Sequence, residues 1–357
     1  MRQALKRVLV AAAMLLACAA PARAAEKVVF DTDFNTMGDD GQAFVMLVQA
    51  MREAKVEILG MTVVSGNQWL DQEVADALKA VERMGVAGKV KVYPGALYPL
   101  VHDQATLELE QKLFGKGYAG AWRSPRPKPD GLIPPPDGFA QNARPETTHA
   151  VDFLIDAIRR NPNEVTILAV GPLTNLALAF RKDPDIVPLV KRIVYMGGAI
   201  EVPGNVTPAA EFNWWFDPEA ARIVLRQPVE HVIVPLDVTN TARFDRKIYE
   251  RISAAGTPVA TLFQAVYAKK FASDPAARAE VWDTLAAAYV LDSSLATDLR
   301  ELQGVDVDIV FGPDYGRSLG YGRNPPVGVQ RAKVVFGLDL DRFWAMYTDL
   351  LTRPVGG

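Results

Sequence analysis

The sequence predicts an α/β fold: an open, mostly parallel, Rossmann-like sheet with helices on its faces and a helical and antiparallel extension at the C-terminal end. Two observations lead to this prediction. Short β-branched apolar runs alternate with segments of helical periodicity through much of the 357-residue chain. The strand-like runs are apolar at consecutive positions, which is typical of parallel strands that are covered on both faces.

The individual elements follow from the same patterns, taken in chain order. The expected parallel strands are KVVFDTD, VEILGMTVVSG, KVKVYPG, EVTILAVG, KRIVYMGG and EHVIVPLDVT. Helical periodicity predicts helices at 39–51, 71–84, 148–160, 172–180 and 218–225. Beyond them, 246–291 is expected to be helical, 305–336 to form antiparallel strands, and 340–351 to close the chain as a helix.

The proline-rich stretch 122–145 is the nearest thing to a linker in the sequence. Structured-looking segments flank it on both sides, so it predicts a long ordered loop rather than a domain boundary. Residues 25–357 are therefore expected to form one domain.

Residues 1–24 have the pattern of a cleaved secretory signal peptide. A basic start is followed by the apolar run 8–20 and by the small-residue motif Ala22-Arg23-Ala24. We therefore expect a periplasmic or secreted protein. Two alternatives stay open: an uncleaved anchor, and a lipoprotein that is attached to the membrane through Cys18.

The charge and the cysteine content restrict the partners and the chemistry. Removing the leader, with its four basic residues and no acidic one, takes the formal net charge from −3 to −7. An acidic chain of this kind is a poor candidate for binding nucleic acid. Because Cys18 is the only cysteine, the mature chain is expected to have neither disulfides nor a thiol nucleophile, and to be held together by its core. Without lipidation at Cys18 we expect no stable membrane association, and a homo-oligomer is left open.

The stretch FDTDFNTMGDDGQAF, residues 30–44, places four aspartates where a strand ends and a helix begins: Asp31, Asp33, Asp39 and Asp40. Clustered carboxylates with carbonyl oxygens are ligands for a hard cation such as Ca²⁺ or Mg²⁺. The alternative is that Asp39 and Asp40 only stabilise the start of the helix through capping and its dipole. Spacing alone does not decide between these interpretations.

Several other kinds of active site are disfavoured by missing residues. No G-x-x-x-x-G-K-[ST] or G-x-G-x-x-G motif is present to bind nucleotide phosphates, and Asn35 stands where an aspartyl-phosphate phosphatase would have threonine. No serine lies in G-x-S-x-G, and the three histidines are isolated. Zinc is equally disfavoured, since there is neither a cysteine cluster nor a histidine pair.

A second polar cluster lies in the segment 196–221, between a predicted strand and a predicted helix. Asn205, Glu211 and Asn213 could bind several hydroxyl groups at once, which suits a polyol such as a sugar. The alternative is a surface loop, but the neighbouring Trp214 and Trp215 are not typical of a solvated loop. We therefore favour the interpretation as a binding site.

Taken together and in this order, the motifs DTD…DD, TVVSGN, AVGPLTNLAL, MGGA…GN…AEFN…DPEAA and VWD resemble the inosine/uridine-preferring nucleoside hydrolase family. The resemblance covers nearly the whole mature chain. It implies the nucleoside-hydrolase fold and calcium-dependent hydrolysis of the N-glycosidic bond of ribonucleosides.

The resemblance also implies a role for each matching residue. The Ca²⁺ ligands would be Asp33, Asp40, Asp283 and the carbonyl of Val170, and Asp33 would also be the general base. Asn67 would lie close to the bond that breaks. The ribose-binding residues would be Asp39, Asn205, Glu211 and Asn213, and Met196 at a strand end would contact the substrate.

Two departures from the family pattern concern the metal loop and the leaving base. Five residues, FNTMG, separate Asp33 from Asp39, whereas the shorter family version has three. In a longer family version, Gly-Asn-Asp stands at the positions of Asn35, Thr36 and Met37.

The second departure is Trp282, which stands where some members have a histidine that acts as the acid. A purine-preferring branch has tryptophan there and stacks the base between two indoles. The resemblance therefore predicts that Trp282 contacts one face of the base, with Trp122 as the candidate for the other face. The alternative for Trp282 is core packing, because it shares a helical apolar stripe with Leu285 and Tyr289.

The expected function is release of a free base from ribonucleosides, with purine nucleosides favoured. An exported nucleoside- or sugar-binding protein without turnover is the alternative from another class. The four aspartates 33, 39, 40 and 283 argue against that alternative, because a binding protein has no need of a metal-activated water.

Overall fold

The computed structural model describes residues 24–355. The predicted leader, with Cys18, lies outside the described residues except for Ala24. The first half of the chain alternates strands and helices, as expected. Its elements are β1 (Glu26–Thr32), α1 (Asp39–Arg52), β2 (Val56–Val63), α2 (Leu70–Arg83), β3 (Val92–Pro94), α3 (Gln104–Phe114), α4 (Ala150–Arg160), β4 (Val165–Ala169) and α5 (Thr174–Lys182).

The second half begins in the same way and then becomes helical before it returns to strands. Its elements are β5 (Arg192–Met196), α6 (Phe212–Phe216), α7 (Pro218–Leu225), β6 (His231–Val234), α8 (Leu236–Thr239), β7 (Arg243–Phe244), α9 (Arg246–Ser253), α10 (Pro258–Ser273), β8 (Ala279–Glu280), α11 (Trp282–Leu291), β9 (Ala296–Val307), β10 (Ser318–Tyr321), β11 (Gln330–Leu338) and α12 (Leu340–Thr352).

One nine-stranded sheet organises these elements, in the order β10-β9-β11-β6-β5-β4-β1-β2-β3. Strands β1 to β6 and β11 pair in parallel, whereas β9 pairs antiparallel with both β10 and β11. The fold class, with its antiparallel extension near the C-terminus, is therefore confirmed. Among the described residues, no helix combines the length and apolar character that crossing a membrane requires.

Each face of the sheet is covered by its own apolar cluster. Along β1, Val28 and Phe30 belong to one cluster and Val29 to the other, as the alternation of side chains in a strand requires. Burial on both faces explains why the strands read as continuous apolar runs.

Several predicted elements differ from the structure. The region 246–291 contains three helices and the short strand β8, which pairs with β7. Strand β9 starts at Ala296, before the predicted start at residue 305. Its early part was not predicted because it is largely exposed and lacks an apolar pattern. The residues LDVT that were assigned to the end of a strand form the helix α8, which follows Pro235.

Helix α3 was not predicted at all. Its buried residues are Leu107 and Glu110, while Leu109 and Leu113 are exposed, so the apolar positions do not mark a single face. Asp103 caps it by accepting a hydrogen bond from the amide of Thr106 at 2.8 Å.

The proline-rich stretch 122–145 is an ordered loop fastened at several points. The Glu82 carboxylate accepts hydrogen bonds from the amides of Gln141, Asn142 and Ala143. Arg83 pairs with Asp137 at 2.7 Å. These contacts hold the loop against helix α2.

Candidate active site

A cavity of about 360 Å³ opens at the carboxyl ends of the parallel strands, where α/β folds bind their ligands. It is lined by Asp33, Asp39, Asn67, Tyr118, Val170, Met196, Asn205, Val206, Glu211, Phe212, Asn213, Glu280, Trp282 and Asp283. Most of the predicted site residues therefore meet in one place. Of the others, Asp40 lies buried beside the cavity and Trp122 lies elsewhere.

Asp33 follows the end of β1 and is held by the loop after β2. Its Oδ2 accepts a hydrogen bond from the backbone amide of Asn67 at 2.8 Å. Its backbone carbonyl accepts a second bond from the Asn67 side chain at 3.1 Å. The motifs DTD and SGN are thus joined by hydrogen bonds between Asp33 and Asn67, although 34 positions separate these two residues.

Two glycines make room for Asp33. A Cβ placed on Gly66 would lie 2.2 Å from Asp33 Oδ2, and one on Gly171 would lie 2.7 Å from its backbone nitrogen. Because real Cβ atoms do not approach so closely, a side chain at either position would displace the carboxylate. Both glycines are therefore needed to cradle Asp33.

Asp39, Asp40 and Asp283 approach each other at the starts of α1 and α11. Each offers one carboxylate oxygen, and these oxygens lie within 4.8 Å of one another. Asp40 is further fixed by hydrogen bonds from Thr32 Oγ1 at 2.5 Å and from Asn35 Nδ2 at 3.0 Å. This trio could hold a metal ion.

The electrostatics show that the cluster lacks a positive partner. Burial raises the pKa of Asp33, Asp40 and Asp283 well above the usual range, and it raises the pKa of Asp39 to about 6. The charged groups that act most strongly on Asp283 are the other three aspartates and Glu211, all acidic. Buried carboxylates that repel one another fit a hard cation, which prefers oxygen ligands and would remove the repulsion.

Asp31 has a supporting role, as its position within the strand suggests. Its Oδ1 accepts hydrogen bonds from Thr62 Oγ1 at 2.5 Å and from Asn175 Nδ2 at 2.9 Å. These bonds tie β1 to β2 and to α5. Burial raises the Asp31 pKa to about 7.

The opposite wall of the cavity comes from the segment after β5. Glu211 caps α6 and accepts hydrogen bonds from the amides of Gly198, Asn213 and Trp214 at 2.9, 2.8 and 3.2 Å. Burial raises the Glu211 pKa to about 7. The predicted helix start at 218 was correct, but the short helix α6 that positions this wall was not predicted.

The two asparagines of this wall are oriented by backbone contacts. Asn213 Nδ2 donates to the carbonyls of Val170 and Met196 at 2.9 and 3.1 Å. Asn205 Oδ1 accepts from the amide of Phe212 at 2.9 Å, which leaves its NH₂ group to donate elsewhere. The wall therefore presents amide and carboxylate groups that suit sugar hydroxyls.

Trp282 lines the cavity, and its indole is half-buried. Its Nε1 donates to Asn240 Oδ1 at 3.1 Å, which fixes the ring, while part of it packs against the core. The two interpretations of the sequence are therefore compatible: this side chain both packs and faces the cavity.

Trp122 does not line the cavity, so its placement does not support the expected contact with the base. Its side chain is only 9% exposed and packs edge-on against Trp69, with ring centroids 5.0 Å apart. The turn that carries it is anchored by a hydrogen bond from the Ala121 amide to the Gly66 carbonyl at 2.8 Å. A large indole in this turn is buried against its aromatic neighbours instead of facing the cavity.

Tyr118, which sequence reasoning missed, lines the cavity. It is 38% exposed, and its hydroxyl donates to Asn67 Oδ1 at 3.1 Å. The Arg123 guanidinium lies 4.7 Å from its ring centroid, and the Phe212 ring packs against it at 5.0 Å. Burial raises the Tyr118 pKa to about 12, so its hydroxyl stays protonated at neutral pH. The sequence signal that could have identified Tyr118 is the motif GYAG, in which this aromatic residue lies between two glycines.

The unusual segment Asn35-Thr36-Met37 joins the aspartate-rich loop after β1 to the helical layer. Asn35 donates to Asp40, as described above, and the Met37 carbonyl accepts hydrogen bonds from Gln42 Nε2 at 3.0 Å and Tyr267 Oη at 3.1 Å. The longer loop therefore has its own anchors next to the carboxylates.

The chain is similar to known proteins over nearly its whole length. The family model described as "Inosine-uridine preferring nucleoside hydrolase" matches residues 28–345. A curated relative, the pyrimidine-specific ribonucleoside hydrolase RihB of Escherichia coli (strain SE11), is 31% identical over 332 residues, which are 90% of this chain and 95% of RihB.

Solved structures agree with this match. A plant nucleoside hydrolase, the PpNRh1 enzyme, superposes with a TM-score of 0.76 at 25% identity, covering 92% of this chain and 99% of its own. The purine-preferring ribonucleoside hydrolase from Gardnerella vaginalis gives a TM-score of 0.73 at 26% identity, covering 91% of this chain and 98% of its own.

Proposed function

Since the chain belongs to the inosine-uridine preferring nucleoside hydrolase family, we propose that it is a calcium-dependent N-ribosyl hydrolase that favours purine nucleosides. Hydrolysis of the N-glycosidic bond of ribonucleosides follows from the family itself. The observation that carries the proposal is the convergence of the carboxylates, the amide-rich wall and Trp282 on one cavity.

The donor set supports calcium as the cation. Ca²⁺ takes about six to eight oxygen ligands, and buried aspartates with a backbone carbonyl are typical of its sites. We propose that Asp33, Asp40, Asp283 and the Val170 carbonyl hold the ion. Asp39, which belongs to the trio of close carboxylates, is proposed to bind a ribose hydroxyl at its edge. A cation held there supplies a positive charge that lowers the pKa of a nearby water.

The residues of the chain then act on the water and the sugar. Asp33, oriented by the Asn67 amide, takes a proton from the attacking water as the water oxygen forms a bond to C1′. The C1′–N bond breaks, and its electron pair leaves with the base, which gains a proton from solvent. The surrounding carboxylates stabilise the positive charge that develops on the ribosyl group.

Departure of the base has to be assisted without histidine. None of the described residues that line the cavity is a histidine or a lysine. We propose that Trp282 stacks on the base. Stacking on a large bicyclic base supports the preference for purines.

A preference for pyrimidines is the second candidate, because the RihB relative at 31% identity is named as pyrimidine-specific. The Gardnerella structure, named as purine-preferring, supports the first candidate. Both candidates share the same carboxylate chemistry and differ only in the base.

The mature protein should be assayed with inosine, adenosine, uridine and cytidine, with released base and reducing sugar both measured. We expect equal amounts of both products and a higher kcat/KM for the purine nucleosides. A higher kcat/KM for uridine would overturn the purine preference alone. Binding without release of any base would favour the alternative of a binding protein.

We also propose that the enzyme is exported by its leader. The basic start, apolar run and Ala-Arg-Ala motif of residues 1–24 support this proposal. The N-terminus of the protein recovered from the periplasm would then be Ala25. An N-terminal lipid on Cys18 would indicate the lipoprotein alternative.

A further inference from the structure

A second and larger cavity, of about 700 Å³, lies beside the catalytic cavity. We call it the annex. It lies between the end of α3, the segment after β5 and the loop before β10, and Phe114, Ile200, Val206, Trp215 and Tyr315 are among its lining residues. Nothing in the proposed chemistry uses it.

The annex and the catalytic cavity share Tyr118 and Val206 in their walls. The two segments that carry these residues touch through backbone, since a Cβ on Gly117 would lie only 2.1 Å from the Val206 carbonyl oxygen. The partition between the cavities is therefore thin. Tyr118 and Val206 therefore lie between a substrate in the catalytic cavity and the annex.

The chemistry of a ribonucleoside determines which of its ends faces the annex. The vicinal 2′,3′-diol is its best pair of oxygens for the carboxylate side, where a cation would bind. The base and C5′ then both point away from the carboxylates, and Trp282 lies where it can take the base. C5′ is left for the wall that carries Asn205, whose chain neighbour Val206 lines the annex.

The charges of the annex disfavour an anionic occupant. Its acidic residues Glu110, Glu201 and Asp314 outnumber its basic residues Lys116 and Arg317. Arg317 already lies 3.6 Å from Asp314. The catalytic carboxylates add further negative charge nearby, so a phosphate would be repelled, whereas the apolar lining suits a neutral group.

We propose that the annex receives neutral, apolar substituents on C5′, so that the enzyme also hydrolyses 5′-alkylthio-5′-deoxyribonucleosides. This inference rests on the proposed hydrolase function. The reaction is unchanged: water adds its oxygen to C1′, the base leaves with its electron pair and gains a proton, and the second product is a 5-alkylthio-ribose.

A substrate series tests the proposal with the holoenzyme. Adenosine, 5′-deoxyadenosine, 5′-methylthioadenosine, 5′-butylthioadenosine and adenosine 5′-monophosphate would be compared, or the uridine series if uridine is preferred. 5′-Deoxyadenosine separates the effect on kcat/KM of losing the 5′-hydroxyl from the effect of gaining the alkyl group. Each methylene that enters the annex should raise kcat/KM about fourfold (about 0.8 kcal/mol). The butylthio compound should therefore exceed 5′-deoxyadenosine by about tenfold or more, with the monophosphate the poorest.

A variant that fills the annex separates this effect from general hydrophobicity. Gly312 lines the annex, and a Cβ there would meet only the Val310 carbonyl oxygen, at 3.9 Å. Gly312→Trp should therefore fold and remove most of the gain from the butylthio group while leaving adenosine turnover unchanged. Gly322→Trp is the matched control, because a Cβ on Gly322 would have no neighbour within 4 Å and Gly322 does not line the annex.

The outcomes distinguish the two proposals. Hydrolysis of adenosine with no gain from 5′-deoxyadenosine to the butylthio compound would overturn the annex proposal and leave the hydrolase function standing. An equal gain in Gly312→Trp and Gly322→Trp would also overturn it. Failure to hydrolyse any nucleoside, including adenosine and uridine, would overturn the hydrolase function first.

Discussion

The proposed roles of Asp33 meet in one carboxylate. Its Oδ2 accepts a hydrogen bond from the Asn67 amide, which leaves Oδ1 for the proposed water or cation. The glycines at 66 and 171 provide the space that its carboxylate occupies. The fixed position of the Asp33 carboxylate is therefore the structural basis of its proposed chemistry.

Replacing Asp33 with asparagine removes the proton acceptor and keeps the shape of the side chain. We expect kcat to fall by about 10²- to 10⁴-fold, the range typical of a lost general base. Initial rates of base release at saturating substrate would measure it. Asp71→Asn, which alters an exposed pair with Arg126, is the control and should keep kcat within about twofold. Normal kcat in Asp33→Asn would contradict the proposed mechanism.

Trp282 is the residue on which the base preference depends. We expect Trp282→Ala to lower kcat/KM for purine nucleosides by about 5- to 150-fold, since stacking on a base is worth about 1–3 kcal/mol. Trp282→Phe should retain part of the activity. Trp122→Phe is the matched control, because that indole lies outside the cavity, and it should leave the ratio of purine to pyrimidine kcat/KM unchanged. The stacking proposal fails if purine turnover survives in Trp282→Ala.

Among the elements, the parallel strands position the site, because its residues follow their carboxyl ends. Asp33, Asn67, Val170 and the Gly197-Gly198 turn all follow a strand by a few residues. Hydrogen bonds between these loops, such as Asn213 to Val170 and Met196, then fix their relative positions. A change that loosens one loop should therefore affect the others.

Asp217 is the clearest joint between elements outside the cavity. It caps α7 through the Ala220 amide at 3.1 Å, and it also accepts from Thr174 Oγ1 at 2.6 Å and the Leu100 amide at 3.0 Å. Asp217→Ala would leave these buried donors unpaired, so we expect a loss of about 3 kcal/mol in the free energy of unfolding.

The exposed cap Asp103 at the start of α3 provides the comparison for Asp217. Asp103→Ala removes a single cap and should cost about 1 kcal/mol. Urea denaturation of both variants would measure the difference. Equal losses would show that the buried contacts of Asp217 add nothing to capping.

The elements that sequence alone predicted are those with a strong periodic pattern. Buried parallel strands and helices with one apolar face were found at nearly their observed bounds, as for α7. Helix α3 and residues 296–304 of β9 were missed because their apolar residues are largely exposed or absent. Pairing of β11 with the parallel sheet depends on tertiary packing that no local pattern records.

At the scale of the whole molecule, the site draws on residues from Asp33 to Asp283. The acidic and amide residues could be predicted, because short motifs after strands carry them and the family resemblance orders them. The aromatic residues could not be placed in the same way. Whether Trp122 or Tyr118 faces the cavity depends on the path of a loop, and only the turn at 120–123 decides it.

The whole cluster also poses one energetic requirement. Several carboxylates with raised pKa lie together in a buried setting, and the strongest charged neighbours of Asp283 are acidic. A cation would relieve this repulsion and would make the ionised state of the site stable near neutral pH. Turnover should therefore depend on bound calcium.

Calcium titration of the metal-free enzyme tests this dependence most directly. Protein stripped with a chelator would receive Ca²⁺ in steps, while bound calcium and the initial rate of base release are measured together. We expect negligible release without metal, and a rate that rises in proportion to bound calcium up to one ion per chain. Asp283→Ala, which lacks one proposed ligand, should need much more calcium to reach any given rate. Full activity in the metal-free enzyme, or a rate that does not follow bound calcium, would show that turnover does not require calcium.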